Sequence, residues 1–197
     1  MVVTDVDRAA ALARELAPDI AEALLARAVV GQVSHPTGIA ATASPPPYDD
    51  TALRTRTAPL VLLDHPRHGG NVGAVIRVSA AAGASGVAVI GGLDPWHPAV
   101  LRGSAGLHYA LPVLQTAAED VRGPLLILDA GGSPLDQVPD DAVLVVGSER
   151  AGVSEHLRSR ADAAISLPMR AGVSSLNLAT AAAAVLYQWR LHRRTER

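Results

Sequence analysis

Small and polar residues follow two short, mostly apolar runs in the C-terminal half of the chain. The runs are residues 143–146 and 163–167, and each stops at a loop. Glu149 follows the first run, whereas Ser175 and Asn177 follow the second and open an alanine-rich helix. Buried parallel strands have this pattern, and ligands of open α/β sheets bind where such strands end. The sequence therefore predicts a ligand site here, although each loop alone fits any strand-turn-helix unit.

A second candidate site is residues 65–70, a loop with two histidines and two adjacent glycines after a predicted strand. Asn71 then begins a predicted helix that runs to about Gly83. Backbone N–H groups at such a helix start can bind an anion, while a simple helix cap is the alternative that these residues alone favour. Gly73 and Arg77 lie four residues apart on one helix face, which predicts that the glycine leaves space beside the guanidinium.

Taken together, these residues resemble a known family. The segments Val146-Gly-Ser-Glu149-x-x-Gly152-Val-Ser154, Leu167-Pro-Met169 and Ser175-Leu-Asn177 are similar to the second and third motifs of the SpoU/TrmH-type RNA methyltransferases of the SPOUT superfamily. The first motif of that family, Asn-x-Gly-x-x-x-Arg, is present as Asn71-Val-Gly73-Ala-Val-Ile-Arg77. Three motifs in family order form a specific signal. The family often has proline at the position of Gly69, a departure that leaves the asparagine and the arginine in place.

The resemblance implies the cofactor S-adenosylmethionine, bound by eight loop residues: Gly147, Ser148, Glu149, Gly152, Leu167, Met169, Ser175 and Leu176. It implies methyl transfer to a ribose 2′-hydroxyl of tRNA or rRNA, with five catalytic residues: Arg77, Asn71, Glu149, Ser175 and Asn177. The expected substrate-binding residues are Arg77, Arg102 and Ser104, although Arg102 is equally well a solvated surface charge. We expect Arg77 to orient the hydroxyl, because a guanidinium is a poor general base.

The alternation of short apolar strands with helices predicts a three-layer α/β fold with a mainly parallel sheet. A Rossmann dinucleotide-binding fold competes on this pattern, but no Gly-x-Gly-x-x-Gly follows a predicted strand. The resemblance adds the SPOUT fold with its C-terminal trefoil knot. It also implies a homodimer that associates through the alanine-rich final helix, and it places Arg102 and Ser104 just before a helix and a strand.

The N-terminal residues are expected to form a separate extension. Apolar positions recur there with a helical period that Pro18 interrupts, which predicts two short helices. Pro45–Asp50 follows as a stiff, polar linker, so the domain boundary is placed near Thr55. We therefore expect a short helical extension and linker over residues 1–55, interpreted as the remnant of an RNA-binding domain. The methyltransferase domain is expected over residues 56–197.

The composition excludes several classes of protein. With 197 residues, 49% of them hydrophobic, the chain can bury one substantial core. It has no cysteine, which removes thiolate chemistry, and all 17 basic residues are arginine, which excludes a Walker-type phosphate loop. No metal is expected, since no His/Asp/Glu group has metal-ligand spacing, and no apolar run has the length of a membrane span. These features predict a cytoplasmic protein without membrane or metal partners.

A net charge of −2 does not indicate RNA binding by itself, so an RNA site must be a local patch. Two other functions stay open. A SPOUT methyltransferase of small molecules fits the short N-terminal segment and the slightly acidic balance. A catalytically silent module that binds RNA or cofactor is disfavoured, because all the motif residues are retained. Comparing methyl transfer to RNA and to small hydroxyl compounds separates these possibilities.

Overall fold

The computed structural model describes residues 1–47 and 50–195, with side chains as far as Arg193. Two residues of the predicted linker, Tyr48 and Asp49, lie outside the described residues. Among the helices of the described part, none combines the length and the apolar composition that crossing a membrane requires.

The chain divides into two compact units, Met1–Pro45 and Pro46–Arg197. The division falls inside the predicted linker, at a run of prolines that stiffens the backbone. It comes earlier in the chain than the boundary expected near Thr55. Leu53 is only 3% exposed and packs in the core of the second unit, so residues just before Thr55 belong to that unit.

The first unit is a small sheet with two short helices. Its elements are β1 (Val2–Val3), α1 (Val6–Ala13), α2 (Pro18–Leu25), β2 (Val29–Val30) and β3 (Ile39–Ala40). Strand β1 pairs in parallel with β2 and antiparallel with β3. The Asp5 carboxylate caps α1 by accepting a 2.9 Å hydrogen bond from the Arg8 backbone N–H. Helix α2 begins at Pro18, where the missing N–H costs nothing because first-turn N–H groups have no partner within the helix. The two predicted short helices are confirmed as α1 and α2.

The second unit is built on one six-stranded sheet. Its strands are β4 (Leu60–Asp64), β5 (Gly86–Ile90), β6 (Val113–Gln115), β7 (Leu125–Pro134), β8 (Val143–Gly147) and β9 (Ala163–Ser166). Its α-helices are α3 (Gly69–Ala82), α4 (Pro98–Ser104), α5 (Glu155–Arg158) and α6 (Leu178–Thr195). The strand order is β6-β5-β4-β8-β7-β9, and all five neighbouring pairs are parallel. The predicted α/β fold with a mainly parallel sheet is therefore confirmed.

The core lies on both faces of this sheet. In β4, Val61 and Leu63 pack in a cluster with apolar residues of α3 and α6, whereas Leu60 and Leu62 pack on the opposite face with α5. Every residue of β4 is buried, because a central parallel strand is covered on both sides. The continuous apolar runs of the sequence follow from this two-sided burial. Because the strands are parallel, their carboxyl ends lie at one edge of the sheet.

Helices α3 and α4 approach closely through glycine. An ideal Cβ on Gly73 would lie 2.4 Å from the Val100 carbonyl oxygen and 2.7 Å from the Cα of Gly103. Gly73 is therefore required for helix packing and does not leave space beside Arg77, which corrects the interpretation from sequence. Arg102 lies inside α4, and a 3-10 helix at Leu107–Tyr109 and strand β6 follow it, in the order that the resemblance implies.

Candidate active site

A cavity of about 590 Å³ opens beside the middle of β7 and at the carboxyl ends of β8 and β9. This volume falls within the range of roughly 300–1,000 Å³ that small-molecule sites occupy. Its walls come from the strand ends, from the loops after β8 and β9, and from the first turn of α6. The structure brings all eight residues expected to bind cofactor together around this cavity: Gly147, Ser148, Glu149, Gly152, Leu167, Met169, Ser175 and Leu176.

Three of the expected catalytic residues form a hydrogen-bond chain beside the cavity. The Asn71 side-chain amide, at the start of α3, donates to the Glu149 carboxylate at 2.8 Å. The Asn177 amide in turn donates to the Asn71 side-chain oxygen at 3.1 Å. The side-chain oxygen of Asn177 accepts from the Ala179 N–H at 2.9 Å and so caps α6, which fixes the orientation of the Asn177 amide. One residue from each motif therefore meets in a single network.

Glu149 is held as a carboxylate. Partial burial acts to raise the pKa of Glu149. Hydrogen bonds from the Asn71 amide, from its own backbone N–H and from the Arg67 backbone N–H, with a smaller electrostatic contribution from His68, together outweigh burial. The net result is a pKa below the usual value for a glutamate. At neutral pH Glu149 is thus an acceptor that orients Asn71, and it is not a proton donor.

The loop after β8 folds back over the strand end. Ser148 and Gly152 exchange two backbone hydrogen bonds, of 3.0 and 2.9 Å. Gly152 has a φ of 68°, in the left-handed region that favours glycine. An ideal Cβ on Gly147 would lie 2.0 Å from the carbonyl carbon of Gly152 and 2.2 Å from the backbone nitrogen of Val153. Only glycine fits at Gly147 while the loop keeps this shape.

A buried carboxylate supports this loop from the neighbouring strand. Asp64 ends β4, pairs in register with Gly147 and is only 1% exposed. It accepts a 2.6 Å hydrogen bond from the Ser154 backbone N–H and lies 2.6 Å from Nδ1 of His65. The sequence interpretation placed Asp64 at a strand end but gave it no role. Its position directly after a buried apolar run was the available signal.

Asp129 is a further cavity residue that sequence reasoning missed. It lies in β7 beside the cavity, and its carboxylate forms an ion pair with Arg158 at 2.6 Å. The pKa of Asp129 lies below its usual value, first because the Gly131 backbone N–H donates to the carboxylate and then because of Arg158. The apolar walls include three more residues without a sequence motif: Leu128, Ile165 and Ala181. The run Leu125–Asp129 was predicted to be a strand, and Asp129, like Asp64, could have been singled out as the polar residue that ends an apolar run.

The two arginines expected to contact substrate lie away from the cavity walls. Arg77 on α3 and Arg102 on α4 are exposed, and neither guanidinium has a hydrogen-bond or ion-pair partner within the described part of the chain. Both are thus accessible to a ligand in solution. Ser175, by contrast, is exposed at the cavity itself. The roles of these three residues stay predictions.

Ser104, the third residue expected to contact substrate, is fully buried. Its hydroxyl lies 3.0 Å from the Leu101 carbonyl oxygen and 2.6 Å from Nδ1 of His108. Nε2 of His108 in turn donates to the Pro95 carbonyl at 2.8 Å, since a carbonyl oxygen can only accept. This network joins α4 to the following turn, and direct contact of the Ser104 hydroxyl with substrate would require α4 to move.

The buried His108 predicts a loss of stability in mild acid. Burial lowers the pKa of His108 below its ordinary value of 6.5, and the hydrogen bond to Pro95 only partly opposes this. The unfolded chain therefore binds a proton that the folded chain excludes, so stability is full above pH 6.5 and falls as the pH drops towards the lower folded pKa. Unfolding by denaturant at a series of pH values checks this. The wild-type protein is expected to lose more stability than His108→Asn, and equal slopes would contradict the assignment.

No group of three or more His, Asp or Glu side chains in residues 1–47 and 50–195 is placed to hold a metal ion. The polar groups that face the cavity include the carboxylates of Asp129 and Glu149 and the hydroxyl of Ser175. Arg150 is the basic residue in the cavity wall. The arrangement therefore suits an organic ligand with an apolar part, hydroxyl groups and positive charge.

Comparisons with known proteins agree with this arrangement. The model of the SpoU rRNA Methylase family matches residues 58–187. A 23S rRNA (uridine(2479)-2'-O)-methyltransferase from Streptomyces viridochromogenes is 34% identical over 150 residues, which are 65% of this chain and 50% of that protein. A 23S rRNA (adenosine(1067)-2'-O)-methyltransferase from Streptomyces azureus is 30% identical over 164 residues, which are 77% of this chain and 60% of that protein.

A solved structure of a SpoU methyltransferase is also similar to this chain. The SpoU methyltransferase AviRb from Streptomyces viridochromogenes, crystallised in complex with AdoMet, superposes with a TM-score of 0.69 at 30% sequence identity. The superposition covers 74% of this chain and 64% of that one. This chain spans 50% and 60% of the lengths of the two 23S rRNA methyltransferases. The family model covers well over half of the sequence, and the chain belongs to the SpoU rRNA methylase family.

Proposed function

We propose that this protein transfers a methyl group from S-adenosylmethionine to a ribose 2′-hydroxyl of tRNA or rRNA. The observation that carries the proposal is the hydrogen-bond chain of Asn71, Glu149 and Asn177 beside a cavity lined by the other motif residues. These residues come from three distant segments, and a module with another function would not need them in one network. Similarity to 23S rRNA 2'-O-methyltransferases and to a SpoU methyltransferase bound to AdoMet supports the same reaction.

The residues of the cavity suit this cofactor. Apolar side chains such as Leu167, Met169 and Leu176 offer walls for an adenine. The Glu149 carboxylate and the Ser175 hydroxyl suit a ligand with hydroxyl groups and positive charge. Loop N–H and C=O groups between these side chains can read the edge of the base. We therefore assign the cofactor to this cavity.

The reaction forms a bond between the methyl carbon and the 2′ oxygen, breaks the bond from that carbon to sulfur, and releases the hydroxyl proton. When bound, S-adenosylmethionine supplies a methyl group that its sulfonium already activates, so no metal is required. Arg77 orients the 2′-hydroxyl and the neighbouring phosphate and stabilises the negative charge that develops on the oxygen. The resemblance also assigns proton removal to Arg77, a role that suits a guanidinium poorly because it stays protonated.

The other motif residues hold the site in shape. Glu149 and Asn177 fix Asn71 from two sides, and Ser175 presents its hydroxyl at the cavity. Preorganised hydrogen bonds of this kind lower the cost of reaching the transition state, because they need no rearrangement during the reaction. We assign phosphate contact to Arg102, which is exposed and has no partner among the described residues.

The proposal includes three features of the whole molecule. The loop after β8 and the long loop between β9 and α6 meet around one cavity, which supports a C-terminal trefoil knot. The first unit, residues 1–45, and the linker that follows it are interpreted as the remnant of an RNA-binding domain. A cytoplasmic location fits an enzyme that modifies RNA.

A homodimer through α6 is also proposed, and the two faces of this helix support it. Ala182 and Leu186 are buried inside the unit, whereas Ala184 is exposed and Tyr187 is 42% exposed. Tyr187→Arg is expected to give a folded monomer, because an unpaired charge in an apolar interface is costly. Sedimentation and thermal unfolding measure the two effects separately. A wild-type monomer, or a Tyr187→Arg dimer as stable as the wild type, would contradict the interface. Ala182→Arg is unsuitable for this purpose, because it would unfold the chain itself.

The reaction is tested with S-adenosylmethionine that carries a labelled methyl group. The acceptors are 23S rRNA, tRNA and free ribonucleosides, and the modified RNA is digested to nucleosides before detection. Label in 2′-O-methylated nucleosides from RNA is expected. Label in free ribonucleosides alone would favour the small-molecule alternative. Cofactor binding without transfer to any acceptor would favour the silent module.

A further inference from the structure

The loop of residues 148–153, which folds back over β8, is held from both neighbouring strands. On one side is β4, where Asp64 accepts from the backbone N–H of Ser154, the residue that directly follows the loop, at 2.6 Å. On the other side is β7, where Asp129 reaches the loop indirectly. The link is Arg158, at the end of α5, whose guanidinium contacts both Asp129 and the loop.

The contacts of Arg158 use two different nitrogens of its guanidinium. Nε donates to the Val153 carbonyl oxygen at 3.0 Å, and Nη2 lies 2.6 Å from the Asp129 carboxylate. Nη2 would also lie 3.5 Å from an ideal Cβ on Gly152, so the guanidinium packs against the loop backbone. A planar guanidinium makes these contacts at once, whereas the single ammonium of a lysine cannot.

We propose that Arg158 and Asp129 are positioning residues that hold the loop in the shape the methyl donor requires. Asp129 and Gly152 both line the cavity, so the ion pair fixes the distance between two of its walls. The side chains of Arg158 and Asp129 are 36% and 28% exposed. An ion pair this accessible adds little to global stability, and its effect is expected at the loop that it touches. This inference rests on the proposed function, because it takes S-adenosylmethionine as the ligand of the cavity.

The first test measures binding of S-adenosylhomocysteine by calorimetry. Arg158→Met and Asp129→Asn are each expected to weaken binding about tenfold with a nearly unchanged melting temperature. The double variant should bind about as well as either single variant, because both changes remove the same link. Arg158→Lys should rescue little. Unchanged affinity in Arg158→Met would overturn the inference. It would also be overturned if Asp129→Asn still weakened binding about tenfold in the Arg158→Met background, because Asp129 would then contact the ligand directly.

A matched control uses an ion pair of similar exposure outside the cavity. Arg193 and Asp140 lie 3.3 Å apart, with side chains 36% and 47% exposed. Arg193→Met is expected to leave the affinity for S-adenosylhomocysteine unchanged. A loss equal to that of Arg158→Met would show a general effect of removing arginine and would overturn the inference.

The second test needs no ligand and therefore separates this inference from the proposed function. In the free protein, the Gly152 N–H donates to the Ser148 carbonyl oxygen at 2.9 Å within the loop. Arg158→Met is expected to speed hydrogen exchange at Gly152 at least about fivefold. Exchange at Ser154, held by Asp64, should change less. Equal exchange rates at Gly152 in wild type and variant would overturn the inference, whereas a wild-type protein that binds no S-adenosylhomocysteine would overturn only the proposed function.

Discussion

Gly147→Ala is expected to abolish binding of S-adenosylmethionine. The added Cβ would lie 2.0 Å from the Gly152 carbonyl carbon and 2.2 Å from the Val153 nitrogen, and both are backbone atoms. No side-chain rotation can relieve such a contact, so the loop that forms one wall of the cavity must move. Calorimetry with the cofactor measures the loss, and circular dichroism verifies that the sheet has formed.

Gly92→Ala is the matched control for this substitution. Gly92 follows β5, and an ideal Cβ there has no neighbour within 4 Å. Cofactor affinity close to that of the wild type is therefore expected for Gly92→Ala. Binding by Gly147→Ala at wild-type strength would show that the loop is not part of the cofactor site.

Arg77→Ala is expected to lower the single-turnover rate of methyl transfer by about a hundredfold or more, the effect of losing a preorganised charge at a developing oxyanion. Arg77 is exposed and has no partner in the described part of the chain, so the fold does not depend on its charge. Cofactor affinity and melting temperature should therefore stay nearly unchanged. Arg77→Lys should rescue little, because an ammonium lacks the planar set of donors.

Arg54→Ala provides a comparison at another exposed arginine. The Arg54 side chain is 56% exposed and pairs with Asp50 at 2.7 Å, four residues away. This substitution should leave the transfer rate close to that of the wild type. Wild-type turnover in Arg77→Ala would remove Arg77 from the active site, and a large fall in its melting temperature would assign it a structural role.

Much of the second unit could be predicted from local pattern. The run that ends at Asp64 is a strand because it is apolar without interruption, and burial on both faces requires that composition. The helix predicted from Asn71 begins two residues earlier, at Gly69, and ends with Gly83 in the left-handed conformation. The alanine-rich final helix, α6, continues past its alanine-rich part to Thr195.

Contacts between distant segments could not be predicted in this way. The spacing of Gly73 and Arg77 is correct for one helix face, yet the partner of Gly73 is the backbone of α4, which no local pattern reveals. The ion pair of Asp129 and Arg158 joins a strand to a helix that follows another strand. Ser104 was expected to contact substrate, but its hydroxyl is buried because α4 packs it against His108. Such partners depend on tertiary packing.

The strand order also has a consequence for how the chain folds. The central strand β4 pairs with β8, so that Leu60 meets Val143, and the segments between them must be made before this pairing can form. Long-range parallel pairing closes large loops before it gains stabilising contacts, which slows folding. During synthesis, β4 therefore emerges with the backbone N–H and C=O groups of one edge unpaired until β8 follows, a state prone to aggregation. Refolding from denaturant should be slow for a unit of this size, and the active-site loops should be the last part to acquire their native shape.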